Sequence, residues 1–197
     1  MVAMKPRLVV LLLCASLLAV CARAKTILPD ACGDDSVKFD VSTEKNPPPL
    51  AGPAADKAQI VFIESYMKNI PTLGGAPIVR FGMDGAWVGA NKGDSFFTLT
   101  VDPGVHHLCA SLQTVSGRMK KNSVGMTSFT AEAGKTYYYQ FTFTMSGHMY
   151  PGASGPGVTN GGGGMQMDYS FDFAAATEDE GKYHVKASQL ATSKPKK

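Results

Sequence analysis

The sequence predicts an all-β fold, a single antiparallel β-sandwich. Three observations carry this. Apolar and polar residues alternate with period two in several short runs, the mark of strands with one face in a core. Turn chemistry recurs between the runs, at Asp84-Gly85, Asp102-Pro103-Gly104 and Ala133-Gly134-Lys135. A helical reading is confined to 177–191. Together they suit an immunoglobulin-like sandwich of about eight to nine strands with an N-terminal extension and a short C-terminal helix or turn.

The stretch 78–113 organises the chain: strand, tight turn, strand, loop, strand, tight turn, strand. A two-residue Asp84-Gly85 link requires positive φ at both positions, which suits a type I′ turn. In Asp102-Pro103-Gly104, proline presets one φ and glycine accepts the positive φ that follows. Between them Phe97, Leu99 and Val101 alternate with Phe96, Thr98 and Thr100.

Four segments follow in chain order: 1–24, 25–57, 58–174 and 175–197. The first reads as a signal peptide. Lys5 and Arg7 charge its start, Leu8 to Val20 is apolar but short for a membrane span, and Ala22-Arg23-Ala24 has the small-x-small pattern of a cleavage site. An uncleaved anchor is one alternative. Another is a lipoprotein, because Leu18-Ala19-Val20-Cys21 is similar to a lipobox; lipidation of Cys21 would then be the one tie to a membrane. The expected location is the periplasm or cell envelope.

The chain holds 19 basic and 16 acidic residues. Three of the basic ones, Lys5, Arg7 and Arg23, lie in the leader and no acid does, so the remainder is balanced. The pI near 8.6 is therefore a targeting effect, and nucleic acid is not an expected partner. Past the leader two cysteines remain, Cys32 and Cys109, with no CxxC spacing. In an oxidising compartment they are expected to form one disulfide.

The segment 25–57 is a lead-in strand and a Pro-rich linker. Val37, Phe39 and Val41 alternate, and Pro47, Pro48, Pro49 and Pro53 follow. The sandwich occupies 58–174. Its first run, Gln59 to Ser65, is apolar on both faces and predicts a central strand covered twice. Residues 67–76 and the basic stretch 114–122 read as loops. Thr127, Phe129 and Ala131 mark another strand. In Thr136 to Thr144, Tyr137, Tyr139, Phe141 and Phe143 share one face, read as core rather than a sugar-stacking platform. Tyr138, Gln140, Thr142 and Thr144 share the other. A Gly-rich loop, 147–164, leads to Met167, Tyr169, Phe171 and Phe173, which are expected to pair with the first aromatic row. The last segment reads as a short helix, with Glu178-Asp179-Glu180 at its start, and a frayed basic tail.

Enzymatic motifs are not present in the sequence: there is no Gly-x-Ser-x-Gly elbow and no His-Glu-x-x-His. His106 and His107, adjacent on a strand, point to opposite faces. His107 shares a face with Cys109, read as a surface histidine beside a buried cysteine. A copper site is the alternative function, built from Met145, His148, Met149 and Met165 around the Gly-rich loop. His148 and Tyr150 are the candidate contact residues of that loop.

The order Asp84-Gly85, then Pro103-Gly104-Val105-His106-His107, then Ala133-Gly134-Lys135-Thr136-Tyr137-Tyr138 resembles the domain-of-unknown-function family numbered 2846, secreted bacterial envelope proteins. The resemblance spans roughly Gln59 to Phe173. It implies an envelope β-sandwich and supplies no catalytic residues. The expected function is a non-catalytic envelope binding or structural module without cofactor, its partner a protein or glycan of the envelope.

Overall fold

The structure is a computed structural model. It describes residues 32–65, 76–113, 124–150 and 164–196, with 145–150 and 164–169 described through their backbone alone. The leader, the 66–75 and 114–123 stretches and the centre of the Gly-rich segment lie outside the described residues.

Ten strands and one helix are described. The strands form two mostly antiparallel sheets packed face to face. The larger sheet runs β1 (Phe39–Glu44), β10 (Gln189–Pro195), β5 (Ser95–Val101), β2 (Ala58–Ser65), β8 (Thr136–Tyr150) and β9 (Gly164–Ala176). The smaller runs β4 (Ala86–Lys92), β3 (Ile78–Met83), β6 (Gly104–Leu112) and β7 (Val124–Ala131). Helix α1 (Glu178–Ala187) lies between β9 and β10 in the chain.

The core between the sheets is built as the alternation implied. Ile60 and Phe62 of β2, Val79 and Phe81 of β3, Leu108 and Ala110 of β6, and Tyr139 and Phe141 of β8 are buried together. The rings interlock: Phe62 sits 5.0 Å from Phe81 and 5.1 Å from Phe97, centroid to centroid. The two aromatic rows do lie side by side, Phe141 opposite Phe173 and Phe143 opposite Phe171. Asp84 (φ 50°) and Gly85 (φ 86°) both take positive φ, joining Met83 to Ala86 as a type I′ link does. Cys32 and Cys109 are bonded, with Cα atoms 5.3 Å apart. β2 is buried on both faces, as its composition predicted.

Five expectations change. The sandwich is not wholly antiparallel: β2 runs parallel to β8, and β10 parallel to β5. The tight turn at Asp102-Pro103-Gly104 is not a hairpin, and it and the loop at Gly93-Asp94 serve the same end. They carry the chain from one sheet to the other, because β5 pairs with β2 while β4 and β6 pair with β3. The Gly-rich loop is shorter than 147–164, since β8 continues to Tyr150 and β9 begins at Gly164. The frayed tail is strand β10, hydrogen-bonded between β1 and β5, so lead-in and tail both belong to the larger sheet. Tyr138, assigned to a polar face, is buried, because α1 covers it.

That covering forms a second core on the outer face of the larger sheet. Val61, Ile63, Phe96 and Tyr138 pack under Leu50, Ala176, Val185 and Leu190. The helix starts at a capping box: Glu180 N–H donates to Thr177 Oγ1, and Thr177 N–H donates to the Glu180 carboxylate at 2.9 Å. Gly181, which weakens the helix in isolation, is needed where it stands. A Cβ there would meet Cγ of Tyr138 at 2.1 Å, so only glycine lets the helix backbone lie on that ring.

Candidate functional site

The lead-in crosses the part of the smaller sheet's outer face around Arg80 and Cys109, while Met126 and Ser128 of β7 stay exposed. Arg80, buried on β3, donates to Val37 O at 2.6 Å and Asp35 O at 3.2 Å, and its guanidinium meets the Asp35 carboxylate at 3.3 Å. It lies 4.2 Å over the Trp87 ring, whose Nε1–H donates to Asp34 O. Burial lowers the Arg80 pKa and Asp35 opposes that. Gln113 binds both backbone groups of Phe39, and the Cys32–Cys109 bond ties down the start.

The outer face of the larger sheet is different. Between the proline segment 46–52, the start of β8 and helix α1 lies a cleft of about 940 Å³. Its floor holds Tyr138, Gln59 and Thr136, with Val185 and Leu50 beside them. Pro47, Pro48 and Pro49 form one wall. Lys182 and Lys186, one turn apart on α1, edge the other, and Lys135 enters from the β7–β8 turn. That turn is fixed by Gly134 (φ 76°), whose N–H donates to Lys57 O at 2.7 Å. Glu178 also lines the cleft and pairs with Lys182, which raises the Lys182 pKa and lowers that of Glu178. Tyr138 has its pKa raised, by burial first.

At the far end of the same face Ser65, Gln140 and His184 meet. Gln140 Nε2 is 2.8 Å from Ser65 Oγ and 3.3 Å from His184 Nε2, and His184 Nδ1 is 3.4 Å from Ser65 Oγ. The cluster pins α1 to the sheet.

The two turns of the organising stretch are joined at one end of the sandwich. Asp84 accepts from His106 Nδ1 at 2.7 Å and from His107 N–H at 2.8 Å, while His106 Nε2 lies 2.9 Å from Asp102 O. Burial lowers the His106 pKa, but the bonds to Asp84 and Asp102 outweigh it and the net shift is upward. Lys57 pairs with Asp102 beside it. Cys109 is buried and His107 exposed, a surface histidine beside a buried cysteine on one face of β6.

The residues proposed for copper lie on the β8–β9 ribbon: Met149 opposite Met165, His148 opposite Gln166, and Met145 opposite Tyr169. His148 and Tyr150 stand on strand β8 rather than in a loop. The side chains of all five lie outside the described part. Among the described residues, no group of three or more His, Cys, Asp and Glu could hold a metal ion.

The cleft was missed in the sequence. Its signals were visible separately, as the proline run 47–49 and the four-residue spacing of Lys182 and Lys186. Nothing local says that they face each other. No family model, curated protein or solved structure matches the chain.

Proposed function

We propose that this protein is an exported, non-catalytic binding module of the cell envelope, and that the cleft between 46–52 and α1 is its binding surface. The cleft carries the reading. At about 940 Å³ it is the size of an ordinary ligand site, about 300–1,000 Å³. It combines an apolar wall and floor with a few polar groups, as such sites do. The bonded Cys32–Cys109 pair fits an oxidising compartment, and the leader and the turn marks of the envelope family point the same way. The non-catalytic part is supported by the sequence, which holds no Gly-x-Ser-x-Gly elbow and no His-Glu-x-x-His.

A photo-crosslinking residue tests this. Placed at Lys186 inside the cleft, it should yield discrete adducts in intact cells. Placed at Ser128, exposed on the smaller sheet, it should not. Equal adducts from both positions, or none from Lys186, would remove the cleft from the proposal. Saturable turnover of an ester, glycoside or peptide, abolished at Ser65→Ala, would remove the non-catalytic reading.

A further inference from the structure

The cleft differs in charge from the rest of the molecule. Past the leader, acids and bases balance. Lining the cleft are Lys135, Lys182 and Lys186 against Glu178 alone, an excess of two positive charges. Two of these lysines are engaged, Lys135 with Glu132 at 2.7 Å and Lys182 with Glu178. Both pairs are more than half exposed, and exposed pairs contribute about 0–1 kcal/mol. A ligand with several anionic groups can therefore displace them at little cost. Lys182 and Lys186 lie about 6 Å apart along the helix axis, so they suit charges repeated along an extended molecule rather than one compact anion.

The floor narrows the class. β2 lies between β5 and β8, and β8 between β2 and β9, so the cleft offers no open strand edge for a peptide to extend. Gln59 and Thr136, which face each other at 3.5 Å, instead present a neutral amide and hydroxyl suited to sugar hydroxyls. The proline rings give a wall with no rotamer freedom to lose on contact.

Resting on the cleft as binding surface, we infer that its ligand is an acidic glycan, an oligosaccharide bearing carboxylates along its length. Lys182 and Lys186 meet successive carboxylates, Lys135 meets the strand from the opposite side, and Gln59 and Thr136 bind hydroxyls between them.

The test is a titration of the mature protein with galacturonate oligomers at low salt, followed by calorimetry and by amide shifts. Galactose oligomers and oligoglutamate are the comparison probes. Galacturonate should bind with an affinity that falls as salt rises, moving the amides of Gln59 and Thr136. The double variant Lys182→Gln/Lys186→Gln should weaken it at least tenfold at an unchanged melting temperature. Equal binding of the galactose oligomer would show that charge does not select. Tighter binding of oligoglutamate would make the ligand an acidic peptide. Either result overturns the ligand class while leaving the cleft as binding surface. Absence of binding by galacturonate overturns the inference, and crosslinking at Lys186 then decides separately whether the cleft binds anything.

Discussion

The two sheets of this sandwich each carry a cover on the outer face, and the covers are built in opposite ways. Over the smaller sheet, the lead-in is held by a disulfide, by Arg80 donating to two carbonyls, and by Gln113 satisfying both backbone groups of Phe39. Over the larger sheet, α1 and the proline segment rest mainly on apolar contacts to Val61, Ile63, Phe96 and Tyr138. Directional bonds and a covalent tie hold the lead-in flat against the part of the sheet it crosses. Apolar packing by a short helix covers the middle of a sheet and leaves room at its side. The cleft exists on the face with the looser cover.

The largest expected effect is on the face that the lead-in crosses. Replacing Cys32 and Cys109 together with alanine should cost about 4 kcal/mol, given the 77-residue separation and the chain-entropy relation. Urea midpoints of the variant and of the reduced parent protein check it. A loss below about 1 kcal/mol would mean that the hydrogen bonds around Arg80 hold the lead-in without the bridge.

A smaller effect is expected on the open face. Gly181→Ala would place a methyl group 2.1 Å from Cγ of the buried Tyr138 ring. Alanine favours helix by about 1 kcal/mol over glycine, yet the overpacking should win and destabilise by about 1–3 kcal/mol net. Gly52→Ala, with open space around its Cβ, should stay within about 0.5 kcal/mol of the parent. Thermal melts of both variants decide it. A Gly181→Ala protein as stable as the parent would show that the helix can lift off the sheet freely, making the cover looser still.

How much of this was legible follows the distance over which each feature is decided. Asp84-Gly85 was readable because positive φ at two residues is a local demand. Phe141 beside Phe173 was readable because each row alternates on its own. The route at Gly93-Asp94 and at Gly104 was not, because the same turn residues serve a hairpin and a crossing between sheets. Tyr138 was misassigned for a related reason: its neighbours Gln140, Thr142 and Thr144 are polar, and the helix that buries it lies about forty residues away. β10 was hidden because Gln189–Pro195 has little apolar signal of its own and is held by strands on either side. The cleft combines both difficulties, drawing its walls from segments that meet only in the fold.

One buried group can separate the two faces by pH. Glu64, near the end of β2, is 1% exposed, and neither carboxyl oxygen has a hydrogen-bond partner among the described residues. Burial first, and the charge of Asp94 after it, raise its pKa well above 4.5; the Gly93 N–H acts against this but is committed to Pro77 O at 3.2 Å. The folded protein thus keeps a proton that the unfolded chain releases. Stability from this group is complete below the ordinary glutamate value of 4.5 and is lost as pH rises through the folded value. His106, raised above 6.5, acts in the same direction, with its contribution lost as pH rises through its own folded value. Comparing Glu64→Gln with the parent protein cancels the His106 part. The difference in unfolding free energy should move in favour of the variant as pH rises from about 4.5, while its urea slope stays constant. Ser65, the next residue, holds His184 of α1, so the parent protein should lose amide protection at β2 and α1 before it loses any at the Arg80 face. Parallel stability curves for the two proteins would mean that Glu64 finds a partner when ionised. Equal loss of protection on both faces would mean that the two covers open as one unit, and the contrast between them would fall.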